Sequence, residues 1–277
     1  MTSSDLPSSP ESARRRGLSA SDRVLLLVGL AVAAIMVVAT PGTLLDKADH
    51  VGYAVCHQIP VRTPFFAGRP LPLCARCSGQ FLGALFGLIF LLALGRGRAG
   101  RLPPKPVIAV LLTFLALWAF DGFNSYLSFF PSLPQLYEPH NVLRTATGTL
   151  QGVALISLVW PFFNVTLWAN TTPEPTLRSM GEAGALLALA ALLTLAVSSG
   201  WDALLYPLAL LSVGGTLLLL TMVNTMLLAL LLKREAAASS LLAAAPLLTA
   251  GLALALLEVL AINLGRAWLT SRMGLPF

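Results

Sequence analysis

The sequence predicts an all-α membrane protein: a polytopic bundle of about seven transmembrane helices with a cytoplasmic amino terminus. Of its 277 residues, 56% are hydrophobic and only 11% are charged, and the mean hydropathy is +0.80. This charged fraction is less than half of the roughly 25% typical of soluble domains, so too few polar side chains exist to cover a water-exposed surface. Seven apolar runs also approach the length of about 20 residues with which a helix crosses a bilayer.

The first apolar run, residues 24–40, is predicted to be an uncleaved transmembrane helix. Residues 1–22 are rich in Ser, Pro and Arg, a composition typical of a disordered tail. A secretory signal peptide is the competing interpretation, because a run of three arginines precedes the apolar residues. A Pro-Gly pair follows them instead of a small-residue cleavage site, which favours the retained helix.

Six further spans follow along the chain. They are predicted at residues 78–94, 107–127, 146–169, 183–199, 203–232 and 241–264. Pro161 is expected to kink or end the fourth span. The spans divide the chain into a cytoplasmic tail (1–22), a first helix with its connector (23–49), a Cys/His-containing core with three helices (50–165) and a Leu/Ala-rich region with three more (166–277).

Basic residues favour alternate loops, and this asymmetry sets the predicted orientation. With the amino terminus in the cytoplasm, 11 of the 18 Lys and Arg residues lie on the inner side, and the GRGRAGR stretch at 95–101 contributes most. The predicted location is therefore the inner (plasma) membrane, with the segment 41–77 outside the cytoplasm. The net charge of +6 follows the loops and forms no basic face interleaved with aromatics, so no nucleic-acid partner is expected. The expected partners are the lipid bilayer and a protein that docks on the carboxyl-terminal helices.

All three cysteines lie in one segment between the first two spans: Cys56, Cys74 and Cys77. Thiolate and imidazole ligands suit zinc, and the Cys-x-x-Cys spacing lets two thiolates reach one ion from a tight turn. The segment therefore predicts a metal site, with zinc as the ion and His57 as the fourth ligand. Neighbouring side chains in an extended strand point apart, so His50 or His140 is the alternative to His57.

Thiol chemistry and a structural clip are open alternatives to the metal. Cys74 and Cys77 are spaced to close a disulfide with Cys56 as resolving thiol, and a location outside the cytoplasm favours oxidation. Arg76 lies between the pair and would lower a thiolate pKa electrostatically. A disulfide or closed zinc site could also simply pin this Pro-rich segment onto the bundle, although three cysteines leave one unpaired in the disulfide version.

A second polar cluster lies where the third span ends and the fourth begins. Asp121 is close to the outer end of its span, where an ionised carboxylate is costly unless it is paired or faces water. Asn141 and Arg144 are three residues apart and share a helical face. Arg144 is predicted to pair with Asp121, either within a site or as a salt bridge that only fixes two helices. Glu258 in the seventh span is predicted as an intramembrane proton or cation site, or as a partner of Arg266.

Two spans carry glycines at a spacing of four residues. These are Gly79, Gly83 and Gly87 on the second span, and Gly148 and Gly152 on the fourth. Such steps usually mark close helix packing, so the second and fourth spans are predicted to approach each other. The predicted topology also puts the cysteine segment and the Asp121 cluster on the same side of the membrane.

At these positions the chain resembles a prokaryotic membrane family catalogued as domain of unknown function 2085, over roughly residues 50–165. The motifs that carry the resemblance occur in order: Cys56-His57-Gln58, Arg62, Leu73-Cys74-Ala75-Arg76-Cys77-Ser78-Gly79 with Gly83, Asp121-Gly122, and Asn141-x-x-Arg144-x-x-Thr147-Gly148-x-x-x-Gly152. Ser78 replaces a Thr frequent in the family, and Gln80-Phe81 replaces its usual Ile-Tyr. The resemblance implies no activity. It does imply that the following residues act as one unit: Cys56, His57, Cys74, Arg76, Cys77, Asp121, Asn141 and Arg144.

The predicted function is metal binding at a small polar pocket capped by the segment 41–77. The expected reaction is metal-assisted activation of water or of a bound anion, with Arg144 contacting the anion and Asp121 orienting that arginine. A membrane thiol-disulfide oxidoreductase using Cys74 and Cys77 is the second hypothesis, and a transporter or membrane scaffold subunit is the third. No phosphate-binding glycine loop, His-Glu-x-x-His or Gly-x-Ser-x-Gly motif occurs, which disfavours common ATPases, metalloproteases and hydrolases and leaves catalysis itself an open question.

Overall fold

The computed structural model describes residues 18–130 and 134–273, which form eight α-helices and four short strands. The helices are α1 (Ala20–Ala39), α2 (Leu44–Val55), α3 (Ala75–Ala93), α4 (Lys105–Leu127), α5 (Asn141–Leu167), α6 (Met180–Ser198), α7 (Leu205–Leu231) and α8 (Leu241–Met273). The strands are β1 (Phe65–Phe66), β2 (Arg69–Pro70), β3 (Ala99–Arg101) and β4 (Thr172–Pro175). Seven helices are long and apolar enough to cross a membrane, which confirms the predicted class and number of spans. The predicted tail, residues 1–22, falls mostly outside the described residues.

The eighth helix, α2, is not one of the seven candidate spans. It is an amphipathic helix of 12 residues inside the segment predicted as a capping loop. A capping box fixes its start, because the Asp46 carboxylate accepts from the Thr43 N–H at 2.7 Å and the Thr43 hydroxyl accepts from the Asp46 N–H at 3.4 Å. The buried face of α2 packs against α7, α8 and the segment before α3. It consists of Leu45, Ala48, Val51, Gly52 and Ala54.

The helices α3 and α5 make the most extensive helix-to-helix contact among the described residues. A Cβ atom added at Gly152 would lie 2.0 Å from the Gln80 carbonyl oxygen, and one added at Gly83 would lie 2.5 Å from the Thr149 carbonyl oxygen. No side chain fits at either position, so the two backbones touch. The predicted packing of the second span on the fourth is confirmed.

The helix α5 begins at Asn141 rather than near residue 146, and it continues through Pro161 to Leu167. Proline has no N–H group to donate to the carbonyl oxygen four residues earlier, which here belongs to Ser157. That oxygen accepts instead from the Thr176 hydroxyl at 2.9 Å. Because the orphaned carbonyl is satisfied, the helix does not end at Pro161.

The alternating spans place two sets of connections at opposite ends of the bundle. One end, here called the cysteine end, holds α2, the antiparallel pair β1–β2, the connection from α4 to α5 and the end of α8. At the other end β3 pairs in parallel with β4, and buried Arg96 is held by Glu174 at 2.6 Å and Glu182 at 3.4 Å. The largest apolar core lies between the ends and draws side chains from α3 to α8.

Candidate functional site

The three cysteines converge at the cysteine end although two separate segments supply them. Cys56 directly follows α2, Cys74 directly precedes α3, and Cys77 lies in the first turn of α3. Their sulfur atoms lie within 4.8 Å of one another, and all three are free thiols. A tetrahedral zinc ion with Zn–S bonds of about 2.3 Å holds its sulfur ligands about 3.8 Å apart. Side-chain movements of about 1 Å would therefore bring these thiols onto one ion.

Backbone contacts hold Cys56 against the segment that precedes α3. A Cβ atom at Gly52 would lie 2.1 Å from the Pro72 carbonyl oxygen, so α2 rests directly on this backbone. Gln58 Nε2 donates to the same oxygen at 2.7 Å. From α8, Arg266 Nη1 donates to the Cys56 carbonyl oxygen at 3.0 Å. These contacts position the first cysteine next to the Cys-x-x-Cys pair.

Hydrogen bonds among the thiols make Cys74 more acidic than Cys56, the other cysteine outside the spans. Donation from Cys56 and Cys77, helped by backbone amides at the start of α3, holds the pKa of Cys74 well below its usual range. The pKa of Cys56 is raised, chiefly by its hydrogen bond with Cys74. The hydrogen bonds within the cluster thus favour the thiolate of Cys74, the form in which sulfur binds metals.

No histidine nitrogen joins the three sulfur atoms within the described ranges. His57 is exposed and lies on the wall of the adjoining cavity. His50 is exposed on α2, and His140 precedes α5, where its Nδ1 accepts from the Val142 N–H at 3.2 Å. The role of His57 as fourth ligand stays a prediction.

Asp121 is buried near the end of α4, with 1% of its surface exposed, and several groups bind its carboxylate. Arg76 forms an ion pair with it and also donates to Ser125 Oγ at 2.9 Å. The Tyr137 hydroxyl donates to Asp121 Oδ1 at 2.7 Å, and the Thr147 hydroxyl donates to Oδ2 at 3.2 Å. Burial, together with the hydrogen bond to Asp121, raises the pKa of Tyr137 to about 12.

The predicted pair of Arg144 with Asp121 is wrong. Arg144 Nη1 donates to Asn141 Oδ1 at 2.9 Å instead. Thr147 is the residue of α5 that lies level with the carboxylate. It follows Arg144 by three residues, or about 4.5 Å along the helix axis. Arg76 reaches Asp121 from the first turn of α3 and takes the place predicted for Arg144.

A cavity of about 330 Å³ lies between the cysteines and a group of arginines. Its polar wall includes the three cysteines, His57 and the arginines Arg62, Arg76 and Arg144. Asp121 and Asn141 do not line it, but they hold Arg76 and Arg144 respectively. Asn141 Nδ2 also donates to the Val61 carbonyl oxygen at 3.1 Å. The two clusters predicted to act as one unit therefore meet around one cavity.

Two residues of this region, Arg62 and Tyr137, were not among the predicted site residues. Arg62 lies in a 3-10 turn, where its Nη2 donates to Ser128 Oγ at 2.9 Å and its guanidinium carbon lies 4.2 Å from the ring centre of Phe129. The one sequence signal that pointed to Arg62 was its place among the motifs of the resembled family. Tyr137 lies in an irregular connection whose path no sequence pattern predicts.

Glu258 lies outside the cavity wall. Its Oε2 accepts from Asn224 Nδ2 at 2.9 Å, which links α8 to α7. The alternative partner, Arg266, donates to the carbonyl oxygens of Tyr53 and Cys56. The end of α8 thus holds α2 in place, and the proton or cation role of Glu258 stays a prediction.

Known proteins are similar to this part of the chain. A family model described as "Predicted membrane protein (DUF2085)" matches residues 56–158, which include all three cysteines and the three arginines of the cavity. An uncharacterized protein of Methanothermobacter thermautotrophicus is 33% identical over 107 residues, or 38% of this chain and 83% of the relative. An uncharacterized protein of Methanocaldococcus jannaschii is 29% identical over 109 residues, or 39% of this chain and 64%, less than two thirds, of the relative. No solved structure matches the chain.

Proposed function

This chain belongs to the membrane-protein family named domain of unknown function 2085, and within that family we propose that it binds a zinc ion at its cysteine end. The convergence of Cys56, Cys74 and Cys77 within 4.8 Å carries the proposal. Three thiolates form a ligand set that binds zinc in preference to harder ions. Because all three cysteines also line the cavity, the fourth coordination position would face the arginines.

The side chains around the cavity suit the activation of water or of a bound anion. Bound zinc would supply a Lewis acid that polarises its fourth ligand. Arg144, held by Asn141, would contact the anion. Asp121 orients Arg76 rather than Arg144, so the carboxylate fixes a second cationic group on the same wall.

The orientation supports a site outside the cytoplasm. The end opposite the cysteines carries the basic loop residues Arg96, Arg98, Arg101 and Lys105. Positive residues concentrate on the cytoplasmic side of multi-span proteins. We therefore propose that the cavity faces the outer side of the plasma membrane.

Metal content and thiol content, measured on one sample, test the proposal. The full chain would be purified in detergent without added metal, analysed by elemental mass spectrometry, and titrated for free thiols after denaturation. We expect about one zinc ion per chain and three reactive thiols. No metal with one reactive thiol would mean that two cysteines form a disulfide, which contradicts the proposal.

Single substitutions separate the ligands from their neighbours. Cys56→Ser, Cys74→Ser and Cys77→Ser should each lower zinc occupancy at a fixed chelator concentration. His57→Ala tests the fourth position, since the ring lies outside the group of three sulfur atoms. If that variant retains zinc, water or an anion occupies the fourth coordination position. Loss of zinc would instead identify His57 as the fourth ligand.

Thiol-disulfide exchange is the second candidate, favoured by three free thiols that line one cavity. In that reaction the Cys74 and Cys77 thiols are oxidised to a disulfide, while a partner's disulfide takes up the two electrons and two protons and becomes two thiols. Cys77→Ser would then trap a mixed disulfide between Cys74 and the partner. Absence of any such adduct under oxidising conditions would argue against this reaction.

A further inference from the structure

The cavity wall carries an unusual concentration of positive charge. Arg62, Arg76 and Arg144 all line it, and no Asp or Glu does so among the described residues. The carboxylate of Asp121, which pairs with Arg76 of this wall, also accepts from Tyr137 and Thr147. Three thiolates around a divalent ion would add one negative charge, which still leaves the wall positive. Like charges held close together repel, so this wall favours an anionic ligand.

The arginines also have donors left over after their contacts within the protein are counted. Arg144 is 7% exposed; its Nη1 donates to Asn141, while its buried Nε has no acceptor in the described part of the chain. Arg62 donates through Nη2 to Ser125 and Ser128, and its Nε and Nη1 make no hydrogen bond within the described ranges. Buried N–H groups without acceptors are costly, and a bound oxyanion would offset that cost.

The number of guanidinium groups indicates the kind of anion. Each guanidinium is a planar fork that binds two oxygen atoms at once. A carboxylate offers only two oxygens, whereas a phosphate group offers three or four to forks arriving from different directions. Here the forks come from a 3-10 turn, from α3 and from α5.

The mouth of the cavity adds an apolar element. Tyr126, in the last turn of α4, and Phe129, just after the helix, line the cavity and are 57% and 53% exposed. Aromatic side chains at the end of a span lie at the level of lipid headgroups. A phosphate group could therefore arrive from the aqueous phase or on a lipid.

We propose that Arg62, Arg76 and Arg144 form a binding site for a phosphate-type oxyanion, either free or in a lipid headgroup. The assignment rests on the proposed function, because it takes this cavity as the working site and names the class of anion. The arginines themselves need no metal to bind the oxyanion, so the two proposals can fail separately.

Binding of two probes to the purified full chain tests this site. Inorganic phosphate would be titrated into protein in a phosphate-free detergent, and phosphatidic acid would be titrated in mixed micelles of the same detergent. Potassium chloride at equal ionic strength is the control for screening. Binding of inorganic phosphate supports a soluble source, and binding of phosphatidic acid alone supports a lipid source.

Variants assign the binding to the arginines. Arg62→Gln and Arg144→Gln should each weaken binding about tenfold or more, because each removes a charged donor. Arg69→Gln is the matched control, since Arg69 lies at the same end, pairs with Asp46 and Asp49, and does not line the cavity. Failure of the wild-type chain to bind either probe overturns the proposal, as does undiminished binding in both cavity variants.

Zinc measured on the same preparations keeps the two proposals distinguishable. A chain that holds zinc but binds neither inorganic phosphate nor phosphatidic acid overturns the oxyanion site alone. A chain that binds phosphate through Arg144 but holds no zinc supports the oxyanion site and overturns the metal proposal.

Discussion

A single methyl group added at Gly152 tests how far the site depends on the contact between α3 and α5. The new Cβ atom would lie 2.0 Å from the Gln80 carbonyl oxygen and 2.7 Å from the Ala84 nitrogen, where ordinary contacts begin at 3.4 Å. Both are backbone atoms, so no side chain can rotate away, and the helices must separate by about 1.4 Å. Overpacking a close-packed interior costs about 1–3 kcal/mol, and a clash between backbones belongs at the upper end of that range.

The separation should reach the cavity because the two helices carry its walls. Cys74, Arg76 and Cys77 belong to the start of α3, and Arg144 belongs to the start of α5. Gly152→Ala should therefore lower zinc occupancy as well as stability, although its own position does not line the cavity.

Thermal unfolding in detergent, followed by tryptophan fluorescence, measures the loss of stability. The control is Gly214→Ala in α7, because nothing lies within 4 Å of a Cβ atom built at that exposed position. Alanine is a better helix former than glycine by up to about 1 kcal/mol, so this variant should be unchanged or slightly more stable. The reasoning is refuted if Gly152→Ala unfolds at the same temperature as Gly214→Ala.

Three further changes test the charges around the site. Arg76→Gln should cost about 3–5 kcal/mol of unfolding free energy because it leaves the buried Asp121 carboxylate without its cation, and adding Asp121→Asn should restore part of the loss in a double-mutant cycle. Hydrogen bonds from Arg69 and from the capping Thr hold the pKa of Asp46 at about 2, below its ordinary 3.8. The stability from this depressed pKa is complete above about pH 4 and is lost as the pH falls towards about 2. Pepsin should therefore cut the segment before α3 faster at the lower pH, and Asp46→Asn should remove that change. Glu258→Gln should keep its hydrogen bond and cost less than about 1 kcal/mol in thermal unfolding, so a larger loss would contradict a purely packing role.

The spans and the convergence of the polar clusters were predictable because both follow from local pattern. An apolar run of sufficient length must cross the bilayer as a helix, since no water is present to satisfy its backbone groups. Alternating spans then put the cysteine segment and the start of α5 at one end. The glycine spacing predicted the α3–α5 contact for the same reason, since only residues without side chains let two helix backbones touch.

Which arginine pairs with Asp121 was not predictable, because it depends on how far the helices are shifted relative to one another along the bundle axis. Spacing along α5 shows that Asn141 and Arg144 share a face, but it contains no information on how far Asp121 lies along α4. In the structure Arg76, at the start of α3, rather than Arg144 reaches the carboxylate. The helix α2 was missed because its short apolar face lies in a segment rich in proline and charge.

One helical turn at the start of α3 links the thiol group to the arginine group. Cys74 and Cys77 are three residues apart and therefore lie on the same side of the turn, where both meet Cys56. Arg76 is about 100° away from Cys77 around the helix, which directs it towards α4 and Asp121. The ion pair thus limits rotation of the turn that carries two of the three thiols. Weakening the Arg76–Asp121 pair should therefore loosen the cysteine cluster, so zinc affinity should fall in Arg76→Gln even though no sulfur ligand has changed.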